Sequence, residues 1–149
     1  MKYNKVYHKN SNIYIIKKFK ILLATKGKQI TARTLFSKVL TNLKNEKIQP
    51  FFVIKQAVSN IKVFFTITQR QKGKMKIIKP KPILRETKRI SLALQWLINN
   101  SKKSSNTSVG LVKEIIDASL NKGTSKQQQQ ELNLIILANK KNITPAKTK

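Results

Sequence analysis

Apolar residues recur every three to four positions in six separate stretches of this chain, and that spacing constrains its fold more than any other feature. A period near 3.6 places such residues on one side of a helix, and stripes of this kind have to be buried against one another. Ser11 or Asn12 caps a first helix running to about Thr25, with Ile15, Phe19, Leu22 and Leu23 as its stripe and Gly27 as its stop. A second helix starts at a Thr31 cap and carries Leu35, Phe36, Val39, Leu40 and Leu43, after which "LKNEK" reads as a loop. Pro50 suits the first turn of a third, whose Ile54, Ala57, Val58 and Ile61 keep the period. The fourth, from about Thr87 to Asn100, buries Ile90, Leu94, Leu97 and Ile98 with Trp96 at the edge of the stripe. The fifth, from about Ser108 to Leu120, carries Val109, Val112, Ile115, Ile116 and Leu120. A sixth begins near Ser125, runs through the glutamine tract and buries Leu132, Ile135 and Ile136.

Between the third and fourth helices the pattern changes. "VFFTIT" and "MKIIK" are rich in β-branched and aromatic residues and flank "QRQKGK", which is a hairpin signal spanning about residues 63–79. Pro80 and Pro82 forbid a central strand beyond it. The fold class is therefore mainly α, a six-helix bundle-like body with one protruding β-hairpin. Residues 1–17 read as a basic arm, 18–142 as one domain and 143–149 as a frayed tail. There is no internal repeat.

Charge bounds the function. Thirty-two Lys and Arg against five Asp and Glu give a net charge of +27 on 149 residues. Five acids cannot balance that surface on any face, so the chain repels itself when alone and a polyanion would relieve it. Releasing the polyanion's counterions would drive the association. Nucleic acid is the first candidate and an anionic membrane the second. The apolar stretches are broken by Lys or polar residues well short of the roughly 18 to 20 needed to span a bilayer. The opening "MKYNKVYHKN" has neither a signal-peptide core nor the character of an organellar presequence, so a protein of this kind working in an organelle is expected to be made there. Lys outnumbers Arg by 28 to 4, and Ile and Asn are abundant, as expected of an AT-rich, organellar or similar genome.

Enzyme chemistry finds little support. There is no cysteine, hence no disulfide, thiolate nucleophile or cysteine-based zinc site, and the lone His8 lies in a polar segment without partners. Glu114 and Asp117 share a helix face, but surface pairing with Lys113 and nearby cations accounts for them, and the other acids are scattered. No phosphate loop, nucleophile elbow or metal spacing occurs, and no cofactor is implied. Phe51, Phe52, Phe64 and Phe65 read as core residues rather than stacking platforms, which favours recognition of phosphate and shape.

One segment is paradoxical. "PKPILRETKRISLALQWLINN" places Arg85, Lys88 and Arg89 at a helix N-terminus, which is itself partly positive, with Glu86 alone to relieve it. Something outside the chain is expected to compensate.

That same segment carries a family resemblance. "LRETKRISLALQWLINNSKK", followed by "LVKEIIDASLNKGTS" and "LANKK", resembles the small-subunit ribosomal protein seven family. "FKILLATKGKQITARTLFSKVLTNL" is similar to the family's first two helices through Gly27, Lys28, Thr31, Ala32 and Leu43. "AVSNIKVFFTITQRQKGK" is similar to its approach to the hairpin through Asn60, Arg70 and Gly73. Five pieces in order cover about residues 18–142. The chain departs from the family in having one Gly at the hairpin tip instead of two, in placing Gln127, Gln128 and Gln129 where a basic run is usual, and in lacking much of the family's C-terminal helix and tail after Asn142.

The resemblance implies a primary binder of the 3′ major domain of small-subunit rRNA that organises the head of the subunit. It implies neighbouring head proteins as partners, a position near the exit-site tRNA and the mRNA channel, no membrane, and a mitochondrial ribosome, with a plastid or an AT-rich bacterium as the alternative. The RNA-binding surface so implied includes Lys17, Lys18, Lys20, Lys26 and Lys28 around the first helix, and Arg70, Lys72, Lys74, Lys76 and Lys79 on the hairpin. It continues through Lys81, Arg85, Lys88 and Arg89 into the fourth helix, then Lys102 and Lys103, and farther on Lys122, Lys140 and Lys141. Phosphates at the fourth helix would then answer its crowded cations. Two other readings compete. A general nucleic-acid-compacting protein explains the charge but not the ordered segments, and a peripheral cationic membrane protein would not need so many stripes buried against one another.

Overall fold

The helix Thr107–Ser119 lies at the centre of the body, packed against the helices Gln29–Asn45, Pro50–Ile61 and Glu86–Ser101. These are α5, α2, α3 and α4. The computed structural model describes residues 4–24 and 27–143, and α1 is Asn4–Leu23, the hairpin strands β1 and β2 are Phe65–Lys72 and Met75–Pro82, and α6 is Thr124–Ala138, followed by a single 3-10 turn at Lys140–Asn142. All six expected helices and the hairpin are present, in the expected order. Helix α1 begins earlier than the expected cap at Ser11 or Asn12, and α2 continues through Asn45, so that the loop expected at "LKNEK" is reduced to its last residues.

The stripes meet in one core. Phe19, Leu43, Ile54, Ile61, Leu94, Leu97, Leu111 and Ile115 are fully buried. Phe19 of α1 meets Phe36 of α2 edge-on, with centroids 5.5 Å apart and an interplanar angle of 77°, a geometry in which the positive ring edge of one faces the negative face of the other. Val109 and Leu120, expected in the stripe of α5, are exposed instead. Val109 lies between the buried Ser108 and Gly110 but points away from the core, and Leu120 follows the last residue of the helix. Gly110 shows how close α5 comes to the end of α4. A Cβ there would lie 2.8 Å from the Ser101 carbonyl oxygen and 2.6 Å from Ser104 Oγ, so the close approach outweighs the roughly 1 kcal/mol that glycine costs a helix.

Polar side chains fasten the last helix. Gln129 is buried and donates to the Lys62 carbonyl at 3.0 Å, Lys126 Nζ donates to the Asn60 carbonyl at 2.9 Å, and Asn100 Nδ2 donates to Gln128 Oε1 at 3.0 Å. Two members of the glutamine tract therefore hold α6 to the ends of α3 and α4. Glu114 does not pair with Lys113 or any other cation among the described residues. Its carboxylate accepts from Thr124 Oγ1 at 2.5 Å and Ser125 Oγ at 2.9 Å, which brings negative charge to the N-terminus of α6, where the first turn has no acid of its own.

The hairpin closes through a two-residue loop, Gly73-Lys74. Gly73 has φ +62° and Lys74 does not take a positive φ, the pattern of a type II′ turn, which needs glycine only at its first central position. A second tip glycine is thus unnecessary. The strands pair Phe65 with Pro82, Ile67 with Pro80 and Lys72 with Met75, so β2 runs past Lys79 through both prolines. A two-stranded sheet has only edges, and Pro80 and Pro82, two residues apart, turn their missing N–H away from β1.

Candidate nucleic-acid interface

Alternation along the paired strands sorts the hairpin into two faces. Phe65, Ile67 and Gln69 lie on one face with Pro82, Pro80 and Ile78. At the root this face is turned to the body, since Pro80 is fully buried and β1 and β2 meet α6 and the turn after it. Arg70 and Lys72 lie on the other face with Lys79 and Lys81. All four are exposed except Lys79, which is half-buried. Lys74 is exposed at the apex, and Lys76, grouped with the rest in the sequence, falls on the opposite face. No acid occurs between residues 65 and 82.

The cationic face continues onto the body. Thr66, at its root, shares a shallow groove of about 210 Å³ with Ile83, Lys88, Ser91, Leu92 and Gln95. Arg70, Lys72, Lys79, Lys81 and Lys88 therefore form one surface, with Arg85, exposed at the N-cap of α4, beside it.

Arg89 is used differently from the expectation that phosphates answer it together with Arg85 and Lys88. Its Nε donates to the Ile83 carbonyl at 2.8 Å, its guanidinium carbon lies 4.4 Å from the centroid of the Phe64 ring, and its NH1 is 3.5 Å from Glu86 Oε2. Lys62 Nζ reaches the other oxygen of Glu86 at 2.6 Å. The paradox of the fourth helix is thus partly solved inside the chain. Glu86 opposes the helix dipole at its first position while Lys62 and Arg89 hold it there. Arg85 and Lys88 remain unpaired among the described residues.

Around α1 the cations are less uniform. Lys17 and Lys20 line a groove of about 450 Å³ with Ile21, Ala24, Gly27, Gln29 and Arg33. Lys20 Nζ also lies 5.2 Å from the centroid of Phe36, a cation–π contact that shares its charge with the core edge. Lys18 is half-buried and Lys28 is exposed at the N-cap of α2. Lys26 lies outside the described residues. Arg33 is missing from the basic set read from the sequence, because its place on the flank of the α2 stripe gains meaning only when α1 packs beside it. Lys102 and Lys103 lie at the far end of α4, about 24 Å along a 16-residue helix from Arg85, so the structure does not bring them to the hairpin face. Lys122 is exposed between α5 and α6, and Lys140 and Lys141 are exposed on the turn packed against β2.

The phenylalanines depart furthest from expectation. Phe51, Phe52 and Phe64 are exposed, and Phe65 is partly buried. Phe51 and Phe52 sit in the first turn of α3, Phe51 at the edge of the buried stripe and Phe52 opposite it. Phe64 precedes β1, and periodicity says nothing at the entry to a strand. Among the described residues no three His, Cys, Asp or Glu gather as for a metal ion, and no helix is long and apolar enough to cross a membrane.

The family model described as ribosomal protein S7p/S5e matches residues 1–140. Curated relatives bear the name small ribosomal subunit protein uS7. That of Onion yellows phytoplasma is 29% identical over 132 residues, covering 87% of this chain and 84% of the relative. That of Phytoplasma australiense is 32% identical over 117 residues, covering 76% and 74%, and that of Nitrosomonas eutropha 30% over 126 residues, covering 83% and 80%.

Proposed function

This chain belongs to the ribosomal protein S7p/S5e family, and on that premise we propose that its hairpin face and the first turn of α4 bind small-subunit rRNA through the phosphate backbone. It is a structural protein of the small ribosomal subunit, not an enzyme. The observation that carries the proposal is the alignment of Arg70, Lys72, Lys79 and Lys81 on one hairpin face, continuous with Lys88, in a segment without acids. The RNA is the 3′ major domain, which the protein binds while organising the head of the subunit against neighbouring head proteins.

Phosphate oxygens accept from Arg85 and Lys88 at the start of α4, while Glu86, Lys62 and Arg89 keep that turn in place. The groove of Lys17, Lys20 and Arg33 supplies a second basic surface, beside which Lys28 is exposed between Gly27 and Gln29. The narrow arm extends about 26 Å along its eight-residue strands. Its tip thereby carries Arg70, Lys72 and Lys74 to rRNA that the helical body cannot approach, near the exit-site tRNA and the mRNA channel. The excess of Lys over Arg, with abundant Ile and Asn, fits an AT-rich genome, and the ribosome is read as mitochondrial, with a plastid or an AT-rich bacterium as the alternative.

Sedimentation tests the reading. The protein should stay on small subunits through a high-salt wash at one copy per subunit. Release in salt, or equal affinity for any duplex, would mean a general nucleic-acid-compacting protein.

A further inference from the structure

The exposed ring of Phe64 stands where the hairpin's cationic face meets α4. It is 62% exposed. The Ile83 N–H donates to the Phe64 carbonyl at 2.7 Å, extending the ladder one pair beyond Phe65 and Pro82. By the two-residue alternation, Phe64 belongs with Thr66, Arg70, Lys72, Lys79 and Lys81.

One side of the ring is already occupied. The Arg89 guanidinium lies 4.4 Å from its centroid, and that guanidinium is fixed by the Ile83 carbonyl and by Glu86. A planar cation locked behind an aromatic ring holds the ring in one orientation and leaves the opposite face free. Leu84, 66% exposed, follows Ile83 on the same root. Arg85, Lys88 and Lys81 are exposed nearby in the chain and carry no ion pair among the described residues.

We propose that Phe64 is a stacking platform for one unpaired RNA base, held rigid by Arg89 and flanked by cations that take the adjoining phosphates. A ring with a polar backing and a cationic rim fits a nucleotide, whose base is apolar on its faces and whose phosphates are anionic. It fits a protein partner less well, since Arg85, Lys88 and Lys81 would then need acids opposite them. The inference rests on the rRNA-binding reading above and adds to it a contact that phosphate recognition alone does not supply.

The test is binding of a 3′ major domain transcript across a salt series by the parent chain and by Phe64→Ala, Phe64→Leu and Phe64→Trp. Stacking is sequence-tolerant and uncharged, so Phe64→Ala and Phe64→Leu should each lose about tenfold in affinity, with the slope of log affinity against log salt unchanged. Phe64→Trp should bind at least as tightly as the parent, and its added indole fluorescence should be quenched by the RNA. Melting temperatures close to the parent's separate this from a packing defect. Parent-like binding by Phe64→Ala overturns the inference, as does a loss in Phe64→Leu matched by a fall in melting temperature or unquenched indole in Phe64→Trp. A parent chain that binds the transcript with no salt dependence overturns the rRNA reading itself.

Discussion

The side-chain amide of Asn60, in α3, donates to the carbonyls of Ala118 and Ser119 at the end of α5, at 3.0 and 2.9 Å. The last carbonyls of a helix have no partner within it, and here a neighbouring helix supplies one. The Asn60 carbonyl in turn accepts from Lys126 Nζ, so one residue ties α3, α5 and α6 together. Replacing Asn60 with Ala should cost about 1–2 kcal/mol. Asn60→Asp should cost more, because it sets a carboxylate against two carbonyl oxygens. Urea unfolding of the three chains checks the order, and an Asp variant as stable as the parent would contradict the contact.

Glu114 holds the start of α6 through Thr124 and Ser125. Glu114→Ala should destabilise the chain by about 1–2 kcal/mol and raise amide exchange in α6 before the other helices. Glu114→Gln, which keeps one acceptor, should fall between. Uniform exchange across all helices would mean that the contact is incidental.

Lys88 and Arg89, neighbours in sequence, should separate in experiment. Lys88→Ala should leave the melting temperature unchanged and weaken rRNA binding. Arg89→Ala should lower the melting temperature as well, since it removes the bond to the Ile83 carbonyl and the pairing with Glu86. Leu94→Ala, at a fully buried position, should cost about 2–5 kcal/mol and retain the RNA contacts in whatever fraction stays folded. Identical melts for Lys88→Ala and Leu94→Ala would mean the faces of α4 are misassigned.

The hairpin should read out by face. Each phosphate contact contributes roughly 0.7 to 0.9 to the salt slope, so converting Arg70, Lys72 and Lys74 to Ala should flatten it by about 2 if all three touch phosphate. Lys76→Ala, on the other face, should leave the slope nearly unchanged. Equal slopes for parent and triple variant would remove the tip from that RNA.

Gly110→Ala should destabilise although alanine is the better helix former, because its Cβ would press on the Ser101 carbonyl and Ser104. Overpacking of this kind costs roughly 1–3 kcal/mol. A gain in stability would show that the α4–α5 junction yields easily.

Six helices, the hairpin and most of the core were legible in the sequence because hydrophobic period is local. Ile54, Ala57, Val58 and Ile61 announce a buried helix face within eight residues, whatever it packs against. The net charge was equally legible, and so was the class of partner it calls for. Side-chain roles that depend on distant neighbours were not. Asn60 meets Ala118 across 58 positions and Gln129 meets Lys62 across 67, and no period or composition records such pairings. The same holds for the cations. The sequence counts Arg89 with Lys88 and Lys76 with Arg70, as members of one basic set. The tertiary structure divides them, because strand register decides which hairpin face a lysine occupies, and because the two chain segments at the hairpin root give Arg89 the Ile83 carbonyl and the Phe64 ring to hold. Charge is a property of the residue, but its availability to a phosphate is a property of what the fold has already placed beside it.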